Sequence, residues 1–345
     1  MGFVQVESPF PFLERRFGEV GLLGNIEDLV QQENPTPELA ECAYHLGYFE
    51  EASAVADAVA ASSNEMARMT ALSAKVYARV ALGDAEGAEQ ALREARIACR
   101  VGLEEDEGTP MHMTSIMCIR LLDDLISIYL QESPKYQGVL EDMPSGLRAF
   151  YGFQMAWRTL CRGEDMQAIG MVKGFLAVAG RRYPISCVKL HLVAASAHLR
   201  NRNPEQAMAE FDEAWRIAEP LGIVAPFVEM SAYLPGMLRR RLRGRDDAMY
   251  REMRSMVSRY REGWHGLRRL CKAPVPGENL TVLEYSTCML AAWGWTNREI
   301  AWFLDISENT AKHYLSGSYQ KLHVKNRSEL TKICGSGALK ENSTA

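Results

Sequence analysis

No two cysteines of this chain stand in a C-x-x-C pair. The eight that occur, at positions 42, 99, 118, 161, 187, 271, 288 and 334, are scattered over 345 residues. That spacing offers neither a disulfide framework nor a zinc site, and fits reduced thiols in a cytosolic protein. No run approaches 18 consecutive apolar residues, and the start MGFVQVESPF has no charged-then-apolar export signal. Val6 occupies the place where a myristoylation motif needs Ser or Thr. These absences predict a soluble, cytoplasmic protein that does not engage a membrane.

Catalytic signatures are missing as well. The chain lacks GxxxxGK[ST], GxGxxG, GxSxG and any carboxylate pair with clear catalytic spacing, so neither an enzyme nor a bound cofactor is expected. His191 and His198 stand seven apart and share a helix face. No Cys or carboxylate completes a zinc set around them, so they read as core or solvated histidines and no metal is expected. Tyr151, Phe153 and Trp157 read as core aromatics.

What the chain does have is charge asymmetry. The formal net charge is −5. Residues 1–238 hold 20 basic against 33 acidic residues, net −13, while residues 239–270 hold 11 against 4, net +7. Residues 271–335 are close to neutral at +1. An acidic sensing part joined to a nucleic-acid-binding end has this pattern. The basic stretch itself has two readings. Its arginines could add phosphate contacts. Alternatively, Leu238, Leu242, Met253, Met256, Val257 and Tyr260 form the buried stripe of amphipathic helices whose arginines are solvated.

From Pro35 to about Gly222 the text is helical, rich in Ala, Leu, Glu and Arg. A short frame recurs in LGYFEEA, LGDAEGA and RGEDMQA, where Gly47, Gly83 and Gly163 each precede an Ala by five residues. NRNPEQA keeps the frame with Arg202 in the Gly position. The frames start 36, 80 and 39 residues apart, which leaves an irregular unit between the second and third. Helix pairs stacked as a solenoid carry this mark, with the Gly opening the turn and the Ala allowing close contact.

Near the C-terminus, TNREIAWFLDISENTAKHYL packs two helix starts into little chain. Thr281 with Glu284, and Thr296 with Glu299, form capping boxes. Ser307 is a good N-cap, and Asn326 opens a last short helix. The expected order is a helix closed by Gly294, a short helix, a three-residue turn, a long helix, then a short one. Two helices joined by so short a turn are the helix-turn-helix unit, whose second helix enters the DNA major groove.

Leu280 to Leu330 resembles the LuxR-type DNA-binding domain. Among the matching positions are Glu284, Gly294, Asn297, Glu299, Ile300, Ala301, Leu304, Ser307, Thr310, Lys312, Lys321, Leu322, Val324, Asn326 and Arg327. The family usually has Arg at 283, Val at 311, His at 314, Asn at 317, Ile at 318 and Gly at 323. This chain has Leu283, Ala311, Tyr314, Gly317, Ser318 and His323 there. Ala311 and Ser318 shrink the apolar face of the recognition helix, and Gly317 costs it about 1 kcal/mol relative to Ala. The frames upstream resemble tetratricopeptide-like repeats. Arg216 to Arg240 resembles the last repeat of LuxR-type regulators related to the bacterial maltose activator, here without an ATP-binding module.

The resemblance implies an all-α protein: an unassigned segment 1–34, a helical-repeat domain 35–238, a basic connector 239–279, a DNA-binding domain 280–335 and a tail 336–345. The linker is expected in CKAPVPGENL, residues 271–280. Lys312, His313 and Ser316 are carried over as base readers, with Asn309, Thr310, Tyr314 and Asn297 on phosphates. The implied partners are double-stranded DNA, a small-molecule or protein signal at the repeats, and a second copy of the chain paired on DNA through the fourth helix. The alternative is a helical-repeat interaction scaffold with a degenerate helix-turn-helix.

Overall fold

Small residues and local caps explain most of the helices. The structure, a computed structural model, describes residues 35–104, 145–179, 182–272 and 277–334, and every regular element among them is helical. Among the described residues four hairpins come first: α1 (Pro37–His45) with α2 (Phe49–Ala60), α3 (Glu65–Ala81) with α4 (Ala85–Leu103), α5 (Ser145–Cys161) with α6 (Asp165–Ala179), and α7 (Pro184–Arg200) with α8 (Pro204–Ala218). Asn64, Asp84 and Asn203 each accept the amide three residues on, at 3.0, 2.9 and 3.2 Å, and so start α3, α4 and α8. Each hairpin turns through one left-handed residue: Gly47, Gly83, Gly163 and, with φ 57°, Arg202. Five residues later Ala52, Ala88, Ala168 and Ala207 are fully buried where the paired helices meet. The recurring frame is therefore a turn-and-contact device. The irregular unit expected between the second and third frames lies outside the described residues, as do the segment 1–34 and the tail.

Three further helices follow: α9 (Ala225–Glu229), α10 (Met237–Leu242) and α11 (Asp247–Leu270). They tie the first hairpin to the last. The Val224 amide donates to the carbonyl of His45 at 2.9 Å, and the Tyr44 hydroxyl donates to Glu229 Oε1 at 2.8 Å. The other oxygen of Glu229 is paired with Lys189, a buried pair whose ammonium also lies 5.1 Å from the Phe153 ring centroid. Phe153 stacks on Trp157 at 5.4 Å, and both are fully buried in the core. The long helix α11 lies against α3 and α4. A Cβ on Gly263 would collide with the carbonyl of Val80, and one on Gly266 with the side chain of Ala85. Glycine at these positions sets how closely α11 approaches.

The described residues end in α12 (Val282–Ala292), α13 (Asn297–Leu304), α14 (Glu308–Lys321) and α15 (Arg327–Cys334). Both expected capping boxes are formed. Thr281 and Thr296 accept from the Glu284 and Glu299 amides, and each carboxylate takes the threonine amide in return at 2.7 Å. Ser307 caps α14 and Asn326 caps α15. Gly294 turns left-handed after α12. Of the expected linker, residues 273–276 lie outside the described residues. Gly277 and Leu280 are buried, and Arg261 donates to the Leu280 carbonyl at 3.0 Å. Among the described residues no helix is long and apolar enough to cross a membrane.

Candidate nucleic-acid interface

The four terminal helices build a small core from Leu280, Met289, Leu290, Ile300, Leu304, Ala311, Leu315, Leu330 and Ile333. The corner between α13 and α14 is made by Asp305, left-handed at φ 52°, followed by Ile306 and the cap Ser307. Ala311, Leu315 and Ser318 face inward and are buried, while Glu308, Asn309, Lys312, His313 and Ser316 are exposed on the other side. Lys312 is paired with Glu308 one turn earlier at 2.9 Å, with 54% of its side chain open to solvent. This pairing holds the ammonium along the helix and leaves it free to change partners at modest cost, as exposed pairs contribute about 0–1 kcal/mol.

The residues expected at phosphates are distributed less evenly. Asn309 is exposed beside Lys312 and His313. The Thr310 hydroxyl is hydrogen-bonded to the Ser307 hydroxyl at 2.7 Å and so belongs to the helix cap. Tyr314 is half-buried and lines a cavity on the side facing α11. Asn297 lies in a groove of about 470 Å³ with Thr296, Lys312, Ser316, Tyr319 and Arg327. Arg327 is fixed there by donating to the Trp295 carbonyl at 2.6 Å and to Asn297 Oδ1 at 2.9 Å. Two cations and the N-terminus of α13 face one groove, an arrangement suited to a phosphate oxygen. Tyr319 and Arg327 were not assigned a role from the sequence. Arg327 follows the Asn326 cap directly, which is the local signal that would have placed it.

The unit is not held by a tether alone. Phe303 is buried, and the Trp295 indole donates to the Leu199 carbonyl at 3.2 Å. Arg239 donates to the carbonyls of Leu304 and Asp305 at 2.6 and 3.1 Å, where α13 ends and its carbonyls lack helical partners. The Arg240 guanidinium lies 4.2 Å from the centroid of Trp302. Arg243 pairs with Asp305 at 3.3 Å, and Arg202 with Glu299 at 2.7 Å. Arg241 and Arg259 reach Asp212 and Glu50 at 3.1 and 2.8 Å. This corrects the two expectations for the basic stretch. Its apolar stripe is buried at Leu242, Met253, Val257 and Tyr260 and half-buried at Leu238 and Met256, but five of its arginines are not merely solvated. They fasten one part of the chain to another.

Residues 278–334 match the family of bacterial regulatory proteins, luxR family (GerE). No curated protein and no solved structure matches the chain. The match makes the C-terminal part a luxR-type helix-turn-helix domain and supports a DNA-binding transcriptional regulator. In this luxR-type domain α13 and α14 are the helix-turn-helix pair and α15 is the fourth helix. His323 carries φ 53° between α14 and α15, at the position where the resembling family has Gly.

Proposed function

We propose that the chain is a sequence-specific transcriptional regulator that reads promoter DNA with the exposed face of α14. Lys312, His313 and Ser316 contact base edges. Lys312 donates to guanine acceptors, as does a ring nitrogen of His313. Asn309, Thr310, Tyr314 and Asn297 contact phosphates, joined by Arg327 and Tyr319 along the groove. Two copies pair on DNA through α15 and meet half-sites about one helical turn apart. The helical hairpins receive the signal, a small molecule or a protein, and the protein works in the cytoplasm. The reading assigns no catalytic group.

One observation carries the reading. The luxR-type domain docks on α10 through the C-terminal end of α13, whereas Lys312, His313 and Ser316 on α14 remain exposed. DNA can therefore reach the recognition helix while the domain stays docked. Selection from random duplexes tests it. The full chain is expected to enrich a two-fold sequence, with affinity falling steeply between 50 and 200 mM salt, as binding through about six or more phosphates requires. No enrichment and no salt dependence would favour a helical scaffold instead.

A further inference from the structure

A cavity of about 680 Å³ opens where α11 meets the luxR-type domain. Its size falls within the roughly 300–1,000 Å³ usual for small-molecule sites. One wall is α10 and α11, with Arg239, Tyr250, Arg254, Val257, Ser258, Arg261 and His265. The other is the start of α12, with Leu283 and Glu284, and the ring of Tyr314 from α14.

Three carboxylates, Glu262, Glu278 and Glu284, line the cavity with these arginines, and two of them are engaged elsewhere. Glu284 is engaged by Lys321 at 2.8 Å and by its own capping box. Glu278 is paired with Arg269. The Glu262 carboxylate lies near the turn at Gly83, between α3 and α4, and attracts Arg261 without forming an ion pair with it. The arginines lack acidic partners of this kind. Arg239 and Arg261 donate to main-chain carbonyls, and Arg261 lies 5.3 Å from the Tyr285 ring centroid. Among the described residues, no carboxylate forms an ion pair with Arg239, Arg254 or Arg261. The same positive surroundings act on His265, whose ring is held neutral, its pKa lowered to about 4 by burial and by Arg261, Arg268 and Arg269. Among the described residues Arg254 and Arg261 form no ion pair and put guanidinium groups on a cavity of mixed polar and apolar walls, where an anion would make charge-assisted hydrogen bonds.

We propose that this seam cavity binds an organic anion, a carboxylate- or phosphate-bearing molecule with an apolar body. Arg254 and Arg261 take the anionic group. Tyr250, Val257, Leu283 and the ring of Tyr314 enclose the apolar part. The site lies between the connector and the recognition helix, away from the helical repeats where a signal was expected. Binding goes beyond the DNA reading and does not depend on it.

The test uses 8-anilinonaphthalene-1-sulfonate, an apolar sulfonate, titrated into the full chain and followed by fluorescence and calorimetry without DNA. The parent is expected to show one saturable site. Arg254→Gln, a change at an exposed side chain, weakens it about tenfold, the loss expected for one charge-assisted contact. Ser258→Trp fills the cavity and removes the site. Neutral N-phenyl-1-naphthylamine binds the parent and Arg254→Gln within about twofold, since it has no charge for the guanidinium to meet. Circular dichroism and melting confirm that the variants fold. Benzoate and phenyl phosphate compete with the sulfonate, and the stronger competitor identifies the head group. The proposal is overturned by the absence of saturable binding, by equal affinity in Arg254→Gln, or by competition from neither anion. A chain that fails to bind DNA yet takes the sulfonate here leaves the proposal standing.

Discussion

His323 and Asp305 bracket the recognition helix in the same left-handed conformation, φ 53° and 52°. An L-residue there costs roughly 1–2 kcal/mol, part of which Gly would return in the unfolded chain. His323→Gly should therefore stabilise the protein by about 0.5–1 kcal/mol, read by urea unfolding. A loss of stability would mean that the imidazole makes a contact worth more than the strain. Glu299 is a residue-scale case of linkage. The Thr296 amide and hydroxyl, with Arg202, lower its pKa from 4.5 to about 2. A depressed carboxylate contributes stability that is present above 4.5 and lost as pH falls through about 2. Glu299→Ala should cost about 0.5–1 kcal/mol at pH 7, a typical capping contribution. That difference should shrink between pH 4.5 and 2, and a pH-independent difference would remove the carboxylate from the account.

At the scale of elements, what could be read in advance was what the chain encodes within a few residues. Thr281, Thr296, Ser307 and Asn326 act on amides three positions on, so the four terminal helices were legible from their own text. The turn frame was legible for the same reason, even at Arg202, because the position demands a left-handed residue whatever its identity. Docking was not legible. Arg239 reaches Leu304 across 65 positions, and its acceptor is a main-chain carbonyl, which leaves no trace in residue identity. That α11 passes beside Tyr314 was illegible for the same reason, since nothing in α14 itself reveals it. Gly263 and Gly266 belong here too, since glycine inside a helix otherwise only weakens it. Gly263→Ala should destabilise the protein by about 1–3 kcal/mol through overpacking, despite a gain in helix propensity near 1 kcal/mol. Thermal melting decides, and a stabilised variant would mean that α11 is free to move outward.

At the scale of the whole molecule, the hairpins, α10–α11 and the luxR-type domain share one continuous apolar cluster. The domain is thus carried at a defined angle. Gly236, left-handed at φ 80° and in contact range of Leu304, lies at the centre of that seam. Gly236→Ala adds backbone strain of about 1–2 kcal/mol and crowds Leu304, so it should loosen docking. Trypsin should then cut after Lys272 faster than in the parent, releasing a C-terminal fragment of about 70 residues. Equal rates would show that the seam does not protect that stretch.

The central claim, that α14 reads DNA from a docked domain, is tested most directly by titrating parent and Lys312→Ala on selected and scrambled duplexes. Lys312 is exposed and its pair with Glu308 lies on the surface, so melting and circular dichroism should not change. Specific binding should weaken by about 1–3 kcal/mol, with little change on scrambled DNA. If Lys312→Ala binds the selected sequence as tightly as the parent, with the same preference over scrambled DNA, this face of α14 is not the reading surface.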